Sequence, residues 1–247
     1  MAQPIHFGAT ITTILRHSPD VISLVLESHK RLPRFVPGQF LHLSLDPYDP
    51  SRHWPESRVF SVANAVTDRK TIRLTISRQG RYTGRILSEV SEGMAVACKG
   101  PYGEFVVGRA PTPRVALISG GTGVTPFASF MDAALESGTL GAEECRLYYG
   151  ARTPGLLVYR ELAERCAAAF PDFRVSCFAE ETDGADGQPN GIRIGRLDIA
   201  AIAAGLSPAG GWSFYLSGPK VMITSFRQDL TNRFAVPDAQ VIIDAWE

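Results

Sequence analysis

The hydrophobic period of this chain changes once, near residue 110, and that change limits the folds open to it. Before it, apolar residues alternate with polar ones in six short runs: 9–17, 21–28, 39–46, 58–64, 71–78 and 94–100. Alternation of period two, bounded by Pro, Gly, Asp or Asn, is the pattern of half-buried strands. One short helix fits at 83–89. Six strands with hardly a helix predict a small antiparallel β-barrel over residues 1–110. After it, short apolar runs at 114–119, 146–150, 174–181, 212–218 and 240–244 alternate with helical stretches at 126–137, 159–170, 198–204 and 220–234. Strand–helix alternation of this kind predicts an α/β doubly wound parallel sheet over residues 111–247. Two prolines in "GRAPTPR" (108–114) interrupt both periods, so the boundary is placed there. The polar stretch 180–191 reads as an exposed loop.

The second region opens on "ISGGTGVTPF" (118–127), with glycine at 120, 121 and 123 and proline at 126. It lies between the first strand and the first helix, where a doubly wound fold seats a pyrophosphate on helix N-terminal N–H groups. Glycines permit close backbone approach, Pro126 suits a first helical turn, and Thr122 and Thr125 add hydroxyls. The run is neither the usual dinucleotide fingerprint, whose third glycine is here Pro126, nor a P-loop, since no Gly-Lys-Ser/Thr follows. A phosphate cradle and a plain tight turn both stand open on these residues alone.

The first region holds further anion candidates. "RVFSVAN" places Arg58 and Phe60 on one strand face and Ser61 on the other. An arginine beside an aromatic can clamp a phosphate and cover a flat ring; a solvated arginine and a core phenylalanine are the plainer account. "SRQGRYTGRIL" (77–87) passes Gly80 and opens a helix, a second N-terminus able to receive an anion. "KGPYGEF" (99–105) has the composition of a hairpin turn.

Composition removes several classes. Twenty-five basic and 25 acidic residues leave a formal net charge of zero, which argues against a nucleic-acid binder. Cys98, Cys145, Cys166 and Cys177 are scattered, with no zinc or iron–sulfur spacing, so no metal site is expected. They suit buried thiols in a reducing compartment. No apolar segment matches a signal peptide or a bilayer span, and a cytoplasmic location is expected. All five histidines (6, 17, 29, 42, 53) precede residue 54, away from any hydrolytic constellation.

In order along the chain stand Pro-Gly-Gln-Phe (37–40), Arg-x-aromatic-Ser (58–61), Gly-x-x-Thr (80–83) and Gly-Pro-x-Gly-x-Phe (100–105). Gly-Gly-Thr-Gly-x-Thr-Pro (120–126), "YYGAR" (148–152), "LSGPKVM" (216–222) and Asp244-Ala245-Trp246 follow. In this order they resemble the ferredoxin–NADP reductase superfamily of two-domain flavin reductases. The resemblance implies FAD, ahead of FMN, in the barrel, and NADPH or NADH in the α/β half. It implies that Arg58 meets the flavin pyrophosphate, with Val59 beside it, that Phe60 lies against the flavin, and that Ser61 bonds near flavin N5. Thr75, Ile76 and Ser77 would line the cofactor. Gly80, Arg81, Tyr82 and Thr83 would offer N–H groups and a hydroxyl to the phosphates. Gly121, Thr122, Gly123 and Thr125 would take the nicotinamide nucleotide's pyrophosphate, with Gly218 and Pro219 approaching the nicotinamide.

Two departures touch the expected catalytic set of Ser61, Ser217, Asp244 and Trp246. Ser217 stands where the family often has cysteine, and Asp244 where glutamate is commoner. Trp246 either stacks on the flavin or caps the core. Arg152, after the second strand of the α/β half, leans the nucleotide toward NADPH through a 2′-phosphate contact. The implied activity is hydride transfer from NAD(P)H to FAD, then single-electron transfer to a separate acceptor such as ferredoxin, flavodoxin or an oxygenase component. Two alternatives remain: an NAD(P)H:flavin reductase that releases reduced flavin, and a nucleotide-binding module without turnover.

Overall fold

The computed structural model describes residues 3–182 and 191–244. The chain divides into two compact units, residues 1–104 and 105–247. The division falls at Glu104–Phe105, ahead of the 110/111 boundary expected from the two prolines. The cause is aromatic packing: Phe105 lies 5.7 Å from Phe127 and 5.3 Å, edge-on, from Tyr215. The Tyr215 hydroxyl donates to the carbonyl of Val106 at 3.0 Å. These contacts join residues 105–107 to the second unit before the prolines are reached.

The first unit is one antiparallel sheet of β1 (Ile5–Ser18), β2 (Val21–Ser28), β3 (Phe40–Ser44), β4 (Arg58–Ser61), β5 (Thr71–Ser77) and β6 (Ala95–Tyr102). Their order is β4-β3-β6-β1-β2-β5. The two ends curl together: Ala63 N–H donates to Arg73 O at 2.8 Å. The Asn64 side chain accepts from Arg73 N–H at 2.7 Å and donates to Thr71 O at 3.0 Å. Edge groups that would otherwise lack partners are thereby satisfied. Alternation sends Ile22, Leu24 and Leu26 of β2 and Ile72, Leu74 and Ile76 of β5 into a shared core. Helix α1 (Arg81–Glu89) adds Tyr82, Ile86 and Leu87 to it. The expected hairpin at 99–105 is instead the end of β6, which runs through a cis Gly100–Pro101 bond. The chain turns at Gly103, with φ of +100°, where a Cβ would come within 2.8 Å of the Phe40 ring.

The second unit is a parallel sheet of β7 (Arg114–Gly120), β8 (Glu144–Ala151), β9 (Phe173–Ala179), β10 (Ile192–Ile194), β11 (Ser213–Ser217) and β12 (Val241–Ile243), in the order β10-β9-β8-β7-β11-β12. Helices α2 (Thr125–Ser137), α3 (Arg160–Ala169), α4 (Ile199–Gly205) and α5 (Lys220–Asn232) connect them. β7 is buried from Val115 through Ser119, as a central strand covered on both faces must be. Strand order reverses between β7 and β11, which defines the switch point of the sheet. β10 was not expected. Three residues are too few to show a period, and it forms only because β9 offers an edge: Ile192 pairs with Cys177 and Ile194 with Ala179. Among the described residues, no helix is long and apolar enough to cross a membrane, and no group of three or more His, Cys, Asp or Glu could hold a metal ion.

Candidate functional site

Each unit carries one group of the expected residues. In the barrel unit, Arg58 is exposed at the start of β4, Val59 and Phe60 are half-buried, and Ser61 is buried. Arg58 donates to Ser57 O at 2.7 Å and lies 3.4 Å from the Glu56 carboxylate. Its guanidinium stands 5.0 Å from the centre of the Tyr82 ring. Arg81, at the first turn of α1, reaches the same carboxylate at 3.4 Å. Two guanidiniums therefore converge on one anion at the N-terminus of a helix whose first turn has no acidic residue. Unsatisfied N–H groups and the helix dipole add positive potential there. The buried Tyr82 holds this arrangement from below: its hydroxyl donates to Glu56 O at 2.9 Å and accepts from Leu45 N–H at 3.1 Å.

Other residues of the expected flavin set make contacts within the unit. The Thr83 hydroxyl accepts from Gln79 N–H at 2.8 Å and Gly80 N–H at 3.1 Å, closing its own helix start. Ile76 is sealed in the barrel core, so only its backbone can meet a cofactor. Thr75 is buried and bonds the Ser23 hydroxyl at 2.7 Å, which in turn meets His17 Nε2 at 2.8 Å. Burial holds the His17 imidazole below its ordinary pKa. Glu56, Ser23 and His17 were not singled out by sequence. They lie outside every motif; the alternating runs that hold His17 and Ser23 mark strands but not this contact.

In the second unit the glycine loop sits at the switch point. Gly121–Val124 form one 3₁₀ turn and α2 starts at Thr125, with Pro126 in its first turn. A Cβ on Gly123 would lie 2.6 Å from the Gly218 backbone. Gly218 has φ of +146°, and a Cβ there would fall 2.9 Å from Gly120 N. Gly123 and Gly218 are thus required by the close packing of two loops. Gly121, with φ of +56° and nothing within 4 Å of an added Cβ, is required by the turn and leaves room beside it. The Thr125 hydroxyl bonds Thr122 O and steadies the loop from within. Pro219 packs on Gly120 and leads into α5.

The register of β11 and β12 pairs Leu216 with Ile243, which brings the next residues, Ser217 and Asp244, side by side. Both are buried, and the Ser217 hydroxyl donates to the Asp244 carboxylate at 2.9 Å. Asp244 N–H also donates to Leu216 O at 2.9 Å. Trp246 lies outside the described residues. Arg152 is exposed just beyond β8, its carbonyl accepting from Glu181 N–H at 2.9 Å.

Both groups fit phosphate-bearing cofactors. In the barrel a carboxylate already stands as the anion between two arginines. At the switch point, a Cβ added at Gly121 would meet nothing within 4 Å, so there is room beside the loop at the start of α2.

Residues 117–228 match the oxidoreductase NAD-binding domain family. The chain is 30% identical over 220 residues to the reductase component DmpP of phenol 2-monooxygenase from Pseudomonas sp. strain CF600, covering 88% of this chain and 59% of that protein. The curated relatives it matches are longer, and the chain spans about half to two thirds of their length, between 49% and 68% in those compared. Its fold is similar to that of the Amycolatopsis cytochrome P450 reductase GcoB, with a TM-score of 0.78, 24% identity, and coverage of 98% of this chain and 69% of that one. It is also similar to a ferredoxin NADP+ reductase from Neisseria gonorrhoeae, solved with FAD and NADP, with a TM-score of 0.74, 16% identity and 99% of each chain covered. The motif order, the two-unit architecture and these likenesses agree: the chain is similar in sequence to oxygenase reductase components and in fold to two-domain reductases of the ferredoxin–NADP reductase kind.

Proposed function

We propose that this protein is an FAD-dependent NAD(P)H oxidoreductase that delivers electrons to a separate acceptor protein, an oxygenase component or a ferredoxin-like carrier. The convergence of Arg58 and Arg81 on one anion at the start of α1 carries this reading. Support for the acceptor comes from relatives that are reductase components of oxygenase systems. When bound, the flavin supplies hydride acceptance and release of electrons one at a time.

The chain's own residues bind and orient. Arg58 and Arg81 take the flavin phosphates through charge-assisted hydrogen bonds, and the N–H groups of Arg81 and Tyr82 add to them. Phe60 covers a ring face, and Ser61 offers a hydroxyl near the reacting edge. At the switch point, the N–H groups of Gly121, Thr122 and Gly123 and the dipole of α2 receive the nucleotide's phosphates. Gly218 and Pro219 let the nicotinamide approach the backbone. Ser217 keeps the Asp244 carboxylate bonded and in place, and Trp246 is assigned to the ring-stacking role expected for the family's terminal aromatic. Arg152, at the end of β8, favours NADPH through its 2′-phosphate. The four free, buried cysteines suit a reducing cytoplasm.

The test is stopped-flow reduction of the FAD-loaded protein by NADPH and by NADH. The reading predicts rapid flavin reduction, faster with NADPH, and a loss of that preference in Arg152→Ala. Tight nucleotide binding with no flavin reduction would show a binding module instead. Activity on free flavin that survives removal of all bound flavin would show a flavin reductase.

A further inference from the structure

The anion between Arg58 and Arg81 is part of the protein. Glu56 lies 3.4 Å from each guanidinium, and its backbone is fixed by the Tyr82 hydroxyl at 2.9 Å. Tyr82 is itself buried and bonded to Leu45 N–H. The backbone of Glu56 is therefore placed by the fold, and its exposed carboxylate is held between the two arginines. The Arg58 guanidinium also spans Ser57 O and the Tyr82 ring, so it is already oriented toward the seat that Glu56 fills.

We propose that Glu56 is an internal competitor for the phosphate seat of the barrel unit, and that it sets how tightly this seat holds a phosphorylated flavin. The inference rests on the flavin reading above. A flavin phosphate that takes the two arginines must displace the Glu56 carboxylate or sit beside it. Displacement loses two ion pairs; coexistence puts like charges together. Either way Glu56 opposes binding of the phosphate and leaves the ring system's contacts untouched. Exposed pairs of this kind are individually weak. Two of them together correspond to a change of about two- to thirtyfold in dissociation constant.

The experiment measures FAD and riboflavin dissociation constants by flavin fluorescence on the full-length apoprotein and its Glu56→Gln, Glu56→Ala and Arg58→Ala variants. Both Glu56 variants should bind FAD about two- to thirtyfold more tightly, with a gain that shrinks as salt is raised. Riboflavin, which has no phosphate, should bind all the Glu56 forms alike. Arg58→Ala should weaken FAD. Unchanged or weaker FAD binding in both Glu56 variants, with normal binding by the wild type, would overturn the proposal and leave the flavin reading standing. An equal gain for FAD and riboflavin would also overturn it, because the effect would not act through phosphate. A wild-type protein that takes up no FAD would remove the flavin reading, and this proposal with it.

Discussion

The two units prepare for an anion in opposite ways. The barrel unit uses side chains: Arg58 and Arg81 are exposed, meet a carboxylate at 3.4 Å, and can be changed without opening a core. The parallel unit uses backbone: Gly120, Gly123 and Gly218 pack so closely that two of the three would place a Cβ within 3 Å of backbone atoms. The same ligand chemistry is thus linked to charge in one unit and to packing in the other. Substitutions should separate them, costing affinity in the barrel and stability at the switch point.

The largest effect should come from Gly123→Ala. Its Cβ would meet Gly218 backbone, which has no flexible end to move aside, so about 3 kcal/mol of stability should be lost. Thiol labelling in rising urea reads this by unit, since Cys145, Cys166 and Cys177 are buried in the second and Cys98 in the first. The second-unit thiols should react at lower urea. Labelling unchanged from wild type would show that the two loops separate at little cost.

Arg58→Ala comes next, with FAD binding weakened about ten- to a hundredfold, as expected for loss of charge-assisted bonds. Urea unfolding of the flavin-free protein should hardly move. A large stability loss would mean that the barrel site, like the switch point, is part of the packing.

A smaller effect is expected at the Ser217–Asp244 bond. Ser217→Ala removes a donor from a buried carboxylate and should cost about 1.5 kcal/mol. Ser217→Cys, a weaker donor, should fall between. Urea midpoints for the three forms give the order directly.

The smallest effect is acid sensitivity confined to the barrel. His6, His17 and His42 all have pKa values lowered, in each case chiefly by burial, with Lys99 adding to the effect at His6 and His42. Their neutral forms are favoured by folding, so the stability they contribute is full above the ordinary histidine pKa of 6.5. It is lost as pH falls below that value through the lowered ones. The second unit has no histidine. Cys98 should therefore become easier to label between pH 7 and pH 5 relative to the second-unit thiols, and His17→Gln should reduce the change.

The strands of both units were readable because burial follows the apolar period; β2 and β5 fill the core with the alternate residues that the pattern marks. The exception, β10, depends on an edge that β9 provides. The candidate sites were readable as motifs but not as contacts. Thr83 and Thr125 bear hydroxyls at helix starts, where local backbone groups compete for them, and the backbone wins at both. Gly123 was marked as clearance for a ligand, yet the atoms it clears belong to Gly218, far along the chain. Ser217 and Asp244 were each singled out, but only the β11–β12 register brings them together. Glu56 left no mark, because its meaning comes from Arg81, reached through the fold.

We propose that this chain binds a flavin in its barrel unit and a nicotinamide nucleotide at its switch point, and that the nucleotide reduces the flavin. Anaerobic addition of NADPH or NADH to protein loaded with FAD, followed by its visible absorption, tests this most directly. The loaded protein should be yellow and should bleach on reduction. A protein that stays colourless with excess FAD, or a yellow one that neither nucleotide bleaches, would contradict it.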